Sequence, residues 1–81
     1  MTDLAIRVNP FILKSTVMVR DKELGIYREE KVAHKDLAAF ISAQEDLDTV
    51  HLFGNEKYVK KIEEECIAKY NMERTIFLIN K

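Results

Sequence analysis

Cysteine, proline and glycine are scarce in this chain of 81 residues, at one, one and two copies. A single cysteine, Cys66, cannot close an internal disulfide, and no zinc-ligand spacing accompanies it. A reducing, cytoplasmic setting is expected. So little glycine and proline leaves no material for a flexible linker, and no Gly/Ser, Pro or Gln/Asn-rich tract occurs, so residues 1–81 are expected to form one small domain. No stretch approaches the ~18 uninterrupted apolar residues of a membrane-spanning helix. The opening MTDLAIRVNPF has no basic segment leading into an apolar one, so no export signal is expected. An excess of charge of one sign is missing too. Thirteen Lys and Arg face 14 Asp and Glu, which removes the bulk positive field of non-specific nucleic-acid binding and leaves only a local patch open.

What is present is an ordinary globular balance, 47% hydrophobic and 33% charged, well away from compositions that stay disordered. The first third has strand character. Leu4, Ile6 and Val8 alternate with polar or small neighbours, and FILKSTVMV is rich in β-branched residues. Asn9-Pro10 between them marks a turn or bend, so residues 4–19 form two strands or one strongly bent one. The polar RDKE at 20–23 then sets up a hairpin with LGIYREEKV, in which Leu24, Ile26, Arg28, Glu30 and Val32 share one parity and Tyr27, Glu29 and Lys31 the other. Its far half is polar on both faces, as a protected edge strand would be.

The period then changes. In HKDLAAFISAQ, Leu37, Phe40, Ile41 and Gln44 follow helical spacing, with His34 as the expected N-cap and Asp36 near the positive end of the helix dipole. TVHLF is a short strand. EKYVKKIEEECIAKY is a longer helix with a stripe of Val59, Ile62, Cys66 and Tyr70, flanked by Tyr58 and Ile67. Asn71 can take the left-handed conformation that ends a helix, and TIFLI has the continuous apolar character of a strand covered on both faces. The order β, β, (β), α, β, α, β implies an α/β domain with a mixed sheet of four or five strands, an N-terminal hairpin or three-stranded meander, and two helices.

This element order, from Leu4 to Ile79, is similar to the core of the ribonuclease H-like fold, with a three-stranded antiparallel opening followed by two helix and strand units. The nucleases of that group carry a metal-binding carboxylate near the middle of the first strand. Here that strand reads LAIRV with only Asp3 before it, so the resemblance does not carry nuclease activity to this chain. A small ferredoxin-like or split αβ sandwich is compatible with the same elements, and neither fold names a function.

Candidate sites are few. Gly54-Asn55 joins a strand to a helix, where backbone amides of residues 55 to 57 could hold an anion with Lys57 or Lys60 beside them. The structural reading is stronger: one glycine for a tight turn and Asn55 as N-cap, without the several glycines of GxxxxGK(S/T) or GxGxxG, and with Glu56 in place to repel phosphate. A small-ligand site at the carboxyl ends of the parallel strands would use Gly54, Asn55, Lys57 and Asn80, with Lys81 nearby. His34 and His51 have no metal-ligand partners at useful spacing and are expected to be structural, so neither metal nor cofactor is expected. Cys66 lies on an apolar stripe among Glu63, Glu64 and Glu65, whose field favours the neutral thiol.

In EKYVKKIEEE, Glu56 precedes Lys60 by four residues, and Lys60 and Lys61 precede Glu64 and Glu65, which fits a solvated face held by ion pairs. At the expected edge strand, Tyr27, Arg28, Glu29, Glu30 and Lys31 could accept a partner strand. The leading expectation is a non-enzymatic binding or regulatory module acting through protein contacts, with a homodimer through an exposed strand edge as one form. The small-ligand or anion site is the alternative. A third is a nucleic-acid-associated, catalytically inactive relative of the ribonuclease H-like group, which requires Lys14, Arg20, Lys22 and Arg28 to form a basic face.

Overall fold

The computed structural model describes residues 1–9, 11 and 14–80, with Asn80 described in its backbone only. Expectations resting on Pro10, Ile12, Leu13, Lys81 and the Asn80 side chain lie outside these residues. Five strands and two helices follow one another as β1 (Thr2–Arg7), β2 (Lys14–Asp21), β3 (Ile26–Ala33), a 3₁₀ turn (His34–Asp36), α1 (Leu37–Ser42), β4 (Leu47–Phe53), α2 (Glu56–Tyr70) and β5 (Ile76–Asn80). The stretch before the hairpin is thus two strands. The sheet order is β3-β2-β1-β4-β5. β2 runs antiparallel to both neighbours, while β1, β4 and β5 are mutually parallel. This is the mixed α/β sheet implied by the element order.

The pairing register fixes which side chains share a face. Leu4 lies opposite Val19 and Val50, and Ile6 opposite Val17 and Leu52. All six are buried, together with Val8 after β1, Leu37, Ala38 and Ile41 on α1, and Val59, Ile62 and Cys66 on α2. Both helices therefore cover the same side. The cause is topological: β3 to β4 and β4 to β5 are parallel crossovers that advance in one direction across the sheet, and crossovers of one hand then deposit their helices on one side. Among the described residues, the other side carries no helix.

That geometry overturns several local readings. TIFLI is an outer strand, with Ile76 53% and Leu78 44% exposed, because no crossover brings a helix to its second face. Leu24 and Gly25 belong to the hairpin turn, with β3 starting at Ile26. The Asp21 carboxylate accepts from the amides of Glu23 (3.0 Å) and Leu24 (3.1 Å) there, so the side chain builds the turn that ends β2. His34 opens the 3₁₀ turn and is not an N-cap. The residue before it, Ala33, makes no side-chain cap, nor does Asp36 before α1. Gln44 lies past the end of α1 and folds back, its amide donating to the Phe40 carbonyl at 3.1 Å. Tyr70 is exposed at the end of the α2 stripe.

Other local readings hold. Asn71 sits at φ 55° and closes α2, and Glu56 and Lys60 pair at 3.2 Å; Glu65 pairs at 3.6 Å with Lys69, a partner other than the Lys60 and Lys61 expected. Cys66 is fully buried, and desolvation, with the Glu65 and Glu63 carboxylates adding to it, pushes its thiol up to about 11 from 9.0. The folded state therefore holds this proton more tightly than the unfolded chain. Its contribution to stability should be full below pH 9 and be lost as pH rises through about 11. The folded protein should resist alkylation at pH 8 and react on denaturation. Rapid native labelling would contradict the burial.

Candidate functional site

The strand end, turn and helix start expected to form a ligand site do come together. Phe53 lies opposite Asn80 in the register, and Gly54, Asn55, Glu56 and Lys57 line an open concavity beyond the strand ends. Hydrogen bonding explains the turn without a ligand. The Asn55 carboxamide oxygen accepts from the Lys57 amide at 3.0 Å, and the Asn55 carbonyl accepts from Tyr58 (3.0 Å) and Val59 (3.1 Å). The Lys57 amide, one of the donors an anion would need, is thus already taken by the cap. Gly54 has φ 137°, and a Cβ there would stand 2.7 Å from the Val8 carbonyl oxygen. Its role is close backbone packing against the residue that follows β1.

The strand carrying Tyr27, Arg28, Glu29, Glu30 and Lys31 is an edge. Its charges are tied to one another: Arg28 reaches Glu30 at 3.2 Å, and Lys31 reaches Glu29 at 3.5 Å while donating to the Thr16 hydroxyl. Exposed pairs of this kind contribute little stability. They do make the edge unattractive to another apolar strand. The opposite edge, β5, has no charge between Ile76 and Ile79.

The helix-free face was not anticipated as a site. Residues on it fall into three rows across the sheet: Tyr27, Arg20, Asp3, Thr49 and Ile76; then Glu29, Met18, Ala5, His51 and Leu78; then Lys31, Thr16, Arg7, Phe53 and Asn80. Tyr27 is 62% and Phe53 38% exposed. The Arg20 guanidinium lies 5.6 Å from the centre of the Tyr27 ring, and His51 stacks beside Phe53 with ring centres 6.2 Å apart. His51 is thus a surface group on this face. Alternation of Leu4, Ile6 and Val8 already assigned Ala5 and Arg7 to the other side of their strand. The missing information was that this side is bare.

The four cations proposed for a basic face separate. Lys14 and Arg20 lie on the helix-free side, where Arg7 and Lys31 join them, while Arg28 has the opposite parity. Lys22 is held between carboxylates. It donates to Asp48 and lies 3.4 Å from Asp3, and the Asp48 bond, with Asp3 adding to it, raises the pKa of this ammonium above its ordinary value. Asp3 itself falls inside β1, not before it, and its buried Oδ1 has the Lys22 charge nearby but no hydrogen bond. Lys22 supplies the counter-charge that a carboxylate pair would otherwise need. Among the described residues, no three His, Cys, Asp or Glu gather at metal-binding distance.

A separate aromatic corner lies between the 3₁₀ turn and α2. Tyr58 meets Phe11 and His34 edge to face, each at 6.4 Å, and the Nδ1 of His34 is buried without a partner. Among the described residues, no helix is long and apolar enough to cross a membrane. Comparison with family models, curated proteins and solved structures finds no match to this chain. The likeness to the ribonuclease H-like core accordingly rests on topology alone.

Proposed function

We propose that this is a non-enzymatic protein-binding module that self-associates by adding strand to strand at β5. The supporting observation is the contrast between the two sheet edges, one laced with Arg28, Glu29, Glu30 and Lys31 and the other apolar and exposed at Ile76 and Leu78. An unpaired strand edge offers a row of backbone donors and acceptors, and the edge without charges is the one that another strand can join. A second copy suits it. Antiparallel pairing of β5 with β5 about a two-fold axis places apolar residues opposite apolar residues and is self-complementary. The buried free thiol of Cys66 fits a reducing cytoplasm.

Light scattering coupled to size exclusion tests this reading. The parent chain should approach twice 9.5 kDa at high concentration, and Leu78→Lys, at an exposed position, should return it to the monomer mass with an unchanged circular dichroism spectrum. A parent mass that stays at 9.5 kDa across the concentration range would overturn it. The turn at residues 54–57 supports a ligand reading less well, since the Asn55 side chain already takes the Lys57 amide.

A further inference from the structure

The helix-free face contains a hollow of about 250 Å³. Ala5 forms its floor, because its small side chain lies between Met18 and His51 in the pairing register. Met18, Tyr27, His51 and Phe53 wall it, and the charged Asp3 and Arg20 also line it. A second hollow of about 230 Å³ adjoins it across Ala5, Met18 and Phe53 and includes Arg7. Apart from Asp3, whose carboxylate lies 3.4 Å from the Lys22 ammonium, the walls are flat or flexible and largely apolar, so they suit a planar ring that inserts or stacks.

Charge on this face departs from that of the whole chain, which is −1. Arg7, Lys14, Arg20 and Lys31 lie on it with only Asp3 and Glu29 among the carboxylates of the same parity. Those two are already engaged, Asp3 by Lys22 and Glu29 by Lys31. Arg20 at one end and Arg7 with Lys14 at the other therefore leave a net positive strip flanking the hollows. A planar ring held between two anion-attracting ends describes a nucleotide within a chain, with phosphates on either side of its base.

We propose that the helix-free sheet face binds single-stranded nucleic acid, with a base entering the hollow over Ala5 and the flanking phosphates meeting Arg20 on one side and Arg7 and Lys14 on the other. Stacking on side chains needs an unpaired base, which selects a single strand over a duplex. No base-edge code is implied, so sequence preference should be weak. The site is separate from the β5 edge and does not depend on self-association.

Fluorescence anisotropy with a labelled 12-nucleotide oligo(dT) or oligo(U), against thymidine or uridine monophosphate, tests the proposal. The oligonucleotide should bind at low salt, at least tenfold more tightly than the mononucleotide, with a log–log salt slope of about −2 for three phosphate contacts on a single strand. Arg7→Gln should reduce that slope by about 0.7. Phe53→Ala should weaken binding roughly 5- to 100-fold through lost stacking. Ala5→Leu should abolish binding by filling the hollow. Lys60→Gln with Lys61→Gln on α2 should leave binding unchanged, and circular dichroism reports whether each variant folds. No anisotropy change at low salt would overturn the proposal. So would equal affinity for the mononucleotide, or binding that survives both Ala5→Leu and Phe53→Ala in folded protein. Loss of self-association in the folded Ala5→Leu variant without any oligonucleotide binding would instead identify the face as a protein interface.

Discussion

Ile6→Ala should destabilise the protein by ~2–5 kcal/mol, the cost of a large-to-small change in a packed core, while Leu78→Ala should change stability by less than ~0.5 kcal/mol. Both residues sit in strands of the same sheet and both are large aliphatics. They differ in what covers them. Ile6 is fully buried on the helix-covered side of the central strand, with Val17 and Leu52 as its cross-strand neighbours. Leu78 projects from the bare side of an outer strand. A domain of this length has a total stability of only ~4–12 kcal/mol, so the first substitution should lower the melting temperature by roughly 10–30 °C. Urea unfolding, followed at concentrations where the chain is monomeric, measures both. Comparable losses at the two positions would mean that β5 is buried on both faces and that the one-sided core is wrong.

Gly54→Ala should cost ~2–4 kcal/mol, because strain at a disfavoured φ adds to a steric clash. The clash is with backbone: an added Cβ would meet the Val8 carbonyl oxygen at 2.7 Å. Backbone cannot swing aside as a side-chain tip can, and the Val8 amide is held by Phe53 at 2.8 Å. Gly25 is the internal control. Its φ of 67° is also positive, but nothing lies within 4 Å of a Cβ built there, so Gly25→Ala should cost only the ~1–2 kcal/mol of the left-handed conformation. Gly25→Asn should recover part of that loss, since asparagine tolerates this region. Equal effects of alanine at positions 25 and 54 would show that conformation alone matters and that the contact with Val8 is loose.

Readings of α2 hold where the interaction itself is local, whereas His34 does not cap the first helix. Asn55 caps α2 through an amide two residues away, Asn71 ends it by its own φ, and Glu56 meets Lys60 one turn on. The charges of YREEK marked β3 as an edge because protection of an edge is carried by the side chains of that strand. The first helix was read too long. The apolar spacing through HKDLAAFISAQ identified its inward face, yet the regular α segment is only Leu37–Ser42, since hydrophobic spacing does not separate a 3₁₀ turn from an α turn over so few residues.

The binding surface was less legible. Arg20, Tyr27, Ala5, His51 and Phe53 come from four strands, and pairing register alone brings them together. Nothing in the spacing of Tyr27 from His51 indicates a shared hollow. The apolar run TIFLI misled for a related reason. An uninterrupted hydrophobic strand is expected where both faces are covered, but it is equally possible where one face awaits a partner.

The sequence by itself determined the order of strands and helices, the inward faces of β1 and α2, the cap and end of α2 and the mixed α/β class, because periodicity, capping and turn chemistry act over a few residues. Tertiary structure decided that β1 lies at the centre, that β5 forms an unprotected edge, and that one face of the sheet is left without helices. Those outcomes follow from two crossovers advancing in the same direction, a relation among whole elements that no window of residues contains.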